Sequence, residues 1–391
     1  MGSVEREDTL QEIARRVAVI RRDLHAHPEL AFAERRTADL VAQYLEDLGL
    51  ETFRGIAGTG VVARLSHGQS GRAIGLRADM DALPLDELNE FAHRSRHPGC
   101  MHACGHDGHM AMLLGAAELL AAAPRFDGSV YFIFQPAEEH EGGGRLMVEQ
   151  GLFSRFPMQA VFGLHNWPGL AVGQIAVMPG ATMAGADRFE ISVIGRGGHA
   201  AMPQQAADSV VAAAALVQAL QSVVSRNTDP LEPAVLSVTR FHAGHADNVL
   251  PERAELGGTL RSFSTAQQSL MEEGMGRVCA GIAAAYGVAI DLRIERGYPP
   301  TVNAAAQTAL CREAASQVFG AANVRGDLRP SMGAEDFSYL LQACPGCYVW
   351  LGNGAGEGGC MLHSPRFDFN DAIIAPGMAY WRQLVEQALA P

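Results

Sequence analysis

The sequence predicts an α/β fold: a mixed sheet flanked by helices, with a smaller α+β domain inserted into it. Three observations predict it. Apolar β-rich runs alternate with helically spaced segments over roughly the first 180 residues, the signature of a sheet covered on both faces. A block of β-α-β-β-α-β order follows, and then a helix-rich pattern returns and runs to the C-terminus. The 391 residues also exceed the size at which one hydrophobic core usually stops growing, so about two domains are expected.

Taken in order, residues 9–24 and 34–49 carry apolar side chains at helical spacing. Short β-rich runs follow at 60–65 and 73–78, then a helix over 107–122. SVYFIFQ (129–135) and AVFGLH (160–165) read as buried strands, being short, apolar and rich in β-branched or aromatic residues. The character changes near residue 183. RFEISVIG gives a strand, 206–224 a long Ala/Val helix, and 234–242 and 254–263 two more strands. A helix over 265–286 and a strand over 289–295 complete a ferredoxin-like insert, a sheet with two helices on one face. The expected domains are 1–182 with 298–391, and 183–297 inserted between them. No fixed-period repeat or low-complexity segment interrupts this pattern.

Composition narrows the function classes. Hydrophobic residues make up 48% and charged residues 19%, ordinary for a globular protein. No window holds the roughly 18 unbroken apolar residues of a membrane span, and the charged N-terminal segment lacks the apolar core of a secretory signal. A cytoplasmic protein is expected. The formal net charge of −13 argues against nucleic acid, whose phosphates need a positive surface. Seven cysteines, an odd number, argue against a disulfide framework and leave metal binding or incidental roles.

The densest chemical signal is Met101-His102-Ala103-Cys104-Gly105-His106-Asp107-Gly108-His109. Three histidines and a cysteine at a loop-to-helix transition offer the nitrogen and sulfur donors that suit zinc or a similar ion. A second signal is Gln135-Pro136-Ala137-Glu138-Glu139, directly after a buried strand. On an extended backbone adjacent carboxylates point to opposite sides, so one can bind a metal while the other faces water as a general base. Carboxylate pairs at strand ends are also common on plain surfaces. His165 ends another apolar strand, and ligands in open α/β sheets gather at such carboxyl ends, although a lone histidine there is more often a satisfied polar residue. His199, in GRGGHA, and His363, in MLHSP beside the glycine-rich run 352–359, gain weight only from this company.

Two decoys fail on context. Gly195-x-Gly197-x-x-Ala200 formally fits a dinucleotide fingerprint, but Pro203 interrupts the place where the phosphate-binding helix should begin. Cys344-Pro345-Gly346-Cys347 precedes a strand instead of opening a helix and has no second pair.

Longer segments carry a resemblance. RRDLHAHPELAFAE, GLRADMDALPL, MHACGHDGHMAMLLGAA, FQPAEE, GLHNWP, GRGGHAAMPQQAADSV, ADNVLPERAELGGTLRSF, MGAEDFSYLL and LHSPRFDFND run nearly end to end. In them the chain resembles the dinuclear metallo-aminoacylase and carboxypeptidase family, in the branch of hippurate hydrolase and the plant indole-acetyl amino acid hydrolases. The resemblance implies a zinc-aminopeptidase-like catalytic domain and an inserted dimerisation or lid domain. It implies two divalent metal ions bridged by Cys104, one also held by His106 and His165, the other by Glu139 and His363. Zinc, manganese, cobalt and nickel all remain open. Glu138 would be the general base. His199 would reach the active site of a partner subunit in a homodimer or higher oligomer and stabilise the oxyanion, and Asn248 and Arg261 would hold the substrate. Other branches carry a ligand histidine two residues before an aspartate; here Asp79 stands in that place, which makes Asp81 an orienting residue instead of a ligand. His102 and His109 stay unassigned, either being able to displace His106.

The resemblance therefore implies hydrolysis of a small N-acyl amino acid to a carboxylic acid and a free amino acid. Dipeptidase or carboxypeptidase specificity is the alternative within the same chemistry. A metal-binding protein that has lost catalysis is the alternative outside it, and the presence of Glu138, five ligand candidates and His199 argues against that one.

Overall fold

The computed structural model describes residues 3–139, 141–355 and 361–391. Most of the glycine-rich stretch after position 355, and Cys360, lie outside the described residues. The chain divides into two compact units, one formed by 1–182, 302–329 and 336–391, the other by 183–301 and 330–335. The segment 330–335, assigned from sequence to the catalytic domain, is grouped with the second unit, where the Ala184 amide donates to the Ser331 and Gly333 carbonyls.

The first unit opens with α1 (Ser3–Ala26), α2 (Arg35–Asp47), β1 (Glu51–Ile56), β2 (Gly60–His67) and β3 (Ala73–Asp79). It continues with α3 (His106–Ala122), β4 (Gly128–Gln135), α4 (Gly143–Glu149), α5 (Leu152–Arg155), β5 (Ala160–Pro168), β6 (Ile175–Ala176) and β7 (Gly180–Met183). The second unit holds β8 (Gly185–Ile194), β9 (Gly198–His199), α6 (Ser209–Ser222), β10 (Ala234–Ala243), β11 (Val249–Leu250), β12 (Arg253–Ser262), α7 (Thr265–Tyr286) and β13 (Ala289–Glu295). The chain closes with β14 (Thr301–Asn303), α8 (Ala305–Phe319), β15 (Val324–Arg325), α9 (Phe337–Ala343), β16 (Gly346–Gly354) and α10 (Ile374–Ala388).

An eight-stranded mixed sheet of order β1-β2-β4-β3-β5-β16-β6-β15 forms the first unit. Its central strands β4, β3, β5 and β16 run parallel, and β3 is buried at every position. This is why these strands are continuous apolar runs with no alternation. Helix α3 is apolar all round and buried at most positions, as a helix packed on several sides must be. Its Met110, Leu113 and Leu114 join Val17 of α1 and Met378 and Trp381 of α10 in one core. Parallel alignment has a functional result: the carboxyl ends of β3, β4, β5 and β16 emerge along one sheet edge, where the loops carry the chemistry.

The second unit has strand order β10-β12-β8-β13, all antiparallel, with α6 and α7 packed on one face. Phe189, Ile191, Val193, Leu256 and Leu260 point to the helices, and the alternation sends Arg188, Glu190, Arg261 and Arg293 to the other face. Asp208 caps α6 by accepting from the Val210 and Val211 amides, and Ser264 caps α7 by accepting from Gln267. Gly287 ends α7 in a left-handed conformation. The stretch Ser209–Asn227 is long and apolar enough, by length and composition, to cross a membrane. Its Ala212, Leu216, Leu220 and Val223 are nonetheless committed to this core.

Candidate metal centre

The site grows from the carboxyl ends of β3, β4 and β5. Asp79 ends β3 level with Gln135 of β4, and His165 lies near the end of β5 opposite Trp350 of β16. The cysteine–histidine segment reaches the same edge because α3 starts there. Gly105 precedes it at φ 94°, and a Cβ on Gly105 would sit 2.2 Å from the Asn166 amide nitrogen. Only glycine fits that approach.

Of the five donor groups among the described residues, two contain Cys104. The Cys104 sulfur, one His106 nitrogen and one His165 nitrogen lie within 4.8 Å of one another, and so do the Cys104 sulfur, a Glu139 oxygen and a His363 nitrogen. Cys104 belongs to both. Its Sγ is 3.3 Å from His165 Nε2, and His363 Nε2 is 3.2 Å from Glu139 Oε1. The ring nitrogens are sorted by what they already bind. His106 Nδ1–H donates to the Asp81 carbonyl at 2.8 Å, which leaves its Nε2 buried without a hydrogen-bond partner. His165 Nδ1–H donates to the Asn166 carbonyl at 2.6 Å, turning Nε2 toward Cys104. His109 is fully occupied: Nδ1–H donates to Asp79 at 2.7 Å, and Nε2 accepts from the Asn166 main chain at 2.9 Å. His102 is buried, belongs to none of the donor groups found among the described residues, and is held neutral, its pKa pushed down to about 3 by burial.

The backbone after β4 differs from the extended run expected for Glu138 and Glu139. The strand stops at Gln135, Ala137 takes φ 54°, and the two glutamates follow in a turn. The cause is Asp81, whose two carboxylate oxygens each accept one main-chain N–H, from Glu138 and from Glu139, both at 2.9 Å. On a straight strand successive N–H groups point opposite ways, so one carboxylate could not take both.

Charge supports a cation. Burial pushes the Cys104 thiol well above its ordinary range, reinforced by Glu139, Glu138 and Asp79. Burial works against a charged His106, yet Asp79 and Asp81 outweigh it and lift the ring to about 10. His165 goes the other way: burial, with His109 beside it, keeps it neutral with a lone pair free to bind. A buried set of carboxylates and a thiol with an orphaned imidazole nitrogen is the donor chemistry of a divalent metal site, and the residues present fit one.

Several contributors escaped the sequence. Arg77, buried, spans Asp79 at 2.7 Å, Gln135 at 2.9 Å and Asp336 at 3.0 Å. Asn166 joins His109 to the Cys104 carbonyl. The GLRAD and GLHN segments contained both residues, but only the fold shows what they touch.

The remaining candidates lie in the second unit. His199 is exposed on β9, paired with Val249, and its Nδ1 accepts from the Ala201 amide at 3.1 Å. The Asn248 carbonyl accepts from the Ala200 amide, which places Asn248 on the same small ribbon. Arg261 is half-buried on β12 and lines a concavity of about 530 Å³ with Arg188, Arg240 and Arg293. The decoys stay decoys. Only a short 3₁₀ turn, Pro203–Gln205, stands where a dinucleotide helix would begin, and Cys344 and Cys347 are buried free thiols.

Comparison with known proteins shows the family. Residues 75–387 match the model of peptidase family M20/M25/M40. Hippurate hydrolase of Campylobacter jejuni is 42% identical over 93% of this chain and 94% of its own. N-acetylcysteine deacetylase of Bacillus subtilis is 40% identical over 94% and 96%. Among solved structures, the Bacillus subtilis YXEP protein, a dinuclear metal binding peptidase from the M20 family, superposes with a TM-score of 0.85 at 34% identity, covering 97% of this chain and 99% of that one. This chain belongs to peptidase family M20/M25/M40.

Proposed function

We propose that the protein is a metal-dependent amidohydrolase that cleaves N-acyl amino acids to a carboxylic acid and a free amino acid. The observation that carries this reading is the pair of donor groups sharing Cys104, with Glu138 anchored beside them by Asp81. The relatives named for hippurate and N-acetylcysteine support the substrate class.

In this reading Cys104, His106 and His165 hold one divalent ion, and Cys104, Glu139 and His363 hold the second. Zinc suits the thiolate, while the mixed nitrogen, oxygen and sulfur set also admits manganese, cobalt or nickel. When bound, divalent ions make water acidic near neutral pH and polarise an amide carbonyl. Glu138 takes the proton of the attacking water and returns it to the departing amine nitrogen. His106 and His165 keep fixed tautomers because their Nδ1–H groups are bonded to main-chain carbonyls. His199 donates to the carbonyl oxygen as charge develops there, and Asn248 and Arg261 hold the substrate carboxylate. We assign the unit containing these three a dimerisation or lid role, with His199 completing the site of a second copy of the chain. We place the protein in the cytoplasm, where the buried free cysteines stay reduced.

The test is amino-acid release from N-acetyl, N-benzoyl and indole-acetyl amino acids and simple dipeptides, by metal-loaded wild type and Glu138→Gln at equal metal content. Release by the wild type alone, highest with N-acyl substrates, is expected. Highest release from dipeptides would replace the substrate class with a peptidase one. Equal release by both variants would remove Glu138 as the base.

A further inference from the structure

Glu34 lies about a hundred residues before the carboxylate pair and reaches the turn that carries it through Ala137. Its side chain is buried completely. One carboxylate oxygen accepts the main-chain N–H of Ala137 at 2.8 Å, and the other accepts the Thr59 hydroxyl at 2.6 Å. Ala137 is one of four non-glycine residues in the left-handed region among the described residues. The conformation carries a steric penalty for an alanine, and its buried methyl group makes no polar contact that would offset it.

The strain has a use. A left-handed residue at 137 reverses the chain so that the next two N–H groups converge, and both end on Asp81. With the turn so held, a Glu138 oxygen, a Glu139 oxygen and a His106 nitrogen lie within 4.8 Å of one another. The Gly143 amide also donates to the Ala137 carbonyl, at 2.9 Å. A Cβ on Gly143 would lie 1.8 Å from the Pro136 oxygen, so the chain is closed tightly on that side as well. Strained backbone persists where its surroundings over-determine it, and functional sites are where it collects.

We infer that Glu34 is a positioning residue: by gripping the Ala137 amide it holds the left-handed turn that aims Glu138 and Glu139. The inference rests on the proposed roles of those two glutamates as base and ligand. It separates from a plain core-support role by a rescue. Glycine adopts the left-handed region without penalty, so Ala137→Gly makes the turn independent of its grip. It does nothing for a core that has merely lost a buried carboxylate.

The experiment measures kcat and KM for an N-acyl amino acid, and zinc affinity by calorimetric titration, in wild type, Glu34→Ala, Glu34→Ala/Ala137→Gly and Ala137→Val. Glu34→Ala is expected to lower kcat about 10–100-fold with KM little changed, in line with the cost of an unsupported left-handed alanine and a lost buried acceptor. It also weakens the second zinc step about tenfold or more, leaving the first intact. The double variant recovers most of both. Ala137→Val, with Glu34 in place, falls like Glu34→Ala, and it decides the matter if Glu34→Ala does not fold. A double variant as slow as Glu34→Ala, or an Ala137→Val protein with full turnover and two zinc steps, overturns the inference while the function stands. A wild type that neither hydrolyses the substrate nor takes a second zinc overturns the function, and the inference with it.

Discussion

The two sets of candidate residues are built in opposite ways. In the first unit most are fastened by a polar neighbour that is itself buried: His106 by the Asp81 carbonyl, His165 by the Asn166 carbonyl, Glu138 and Glu139 by the Asp81 carboxylate; His363, exposed, meets Glu139 at 3.2 Å. In the second unit His199 stands exposed on a two-residue strand, and Arg261 is half-buried on an open sheet face. Buried donors keep a fixed geometry whether or not anything is bound, as a metal site requires. Exposed donors on a separate unit contribute only once something is brought to them, which suits groups that engage the substrate. The contrast predicts that variants in the first unit disturb metal binding or chemistry at a fixed centre, whereas variants in the second change turnover alone.

The largest effect is expected at Glu138. Glu138→Gln lowers turnover by at least about 10²–10⁴-fold, the range for loss of a general acid–base group, and retains its metal by elemental analysis. Next comes His199→Ala, with a fall of about 10²–10³-fold, typical of one lost oxyanion donor. Its metal content and thermal midpoint stay unchanged; a loss of metal would erase the distinction between the two units. Asp81→Asn should weaken metal binding by about 10–100-fold, as the loss of an outer support does, measured by competition with a chelator.

Smaller effects concern stability. His25 is buried between Asp107 at 2.9 Å and Glu87 at 3.1 Å. Burial disfavours its charge, but the two carboxylates prevail and raise it to about 9 from an ordinary 6.5. A raised pKa means the folded state holds the proton more tightly. The stabilisation is therefore complete below about pH 6.5 and is lost as pH rises through about 9. The thermal midpoint should fall over that window in wild type, and the fall should be smaller in His25→Gln. The smallest change is Asp208→Ala, which removes the α6 cap and costs about 1 kcal/mol, read by denaturant unfolding with turnover unaffected.

Much of this was legible in the sequence, and for physical reasons. Buried parallel strands are uniform apolar runs, so β3, β4 and β5 announced themselves, and the β-α-β-β-α-β order gave the second fold directly. The cysteine–histidine cluster was conspicuous because such donors are seldom packed together without a use. What stayed hidden was which histidine is available. His102, His106 and His109 look alike in a string of letters; Asp79 and Asn166 have taken both His109 nitrogens, the Asp81 carbonyl has taken only one of His106, and His102 lies outside every donor group among the described residues. The turn at Ala137 was hidden for the same reason, since it depends on Glu34 and Asp81, both distant in the chain. β1 was missed because Glu51–Ile56 is an edge strand with charged residues and little apolar pattern.

The most direct measurement of the central claim is the metal content of purified, metal-loaded wild type and Cys104→Ala. The account predicts two ions per chain in the wild type and loss of both from the variant, because Cys104 alone belongs to both the His106–His165 and the Glu139–His363 groups. A wild type holding one ion or none, or a Cys104→Ala protein that still holds two, would contradict it.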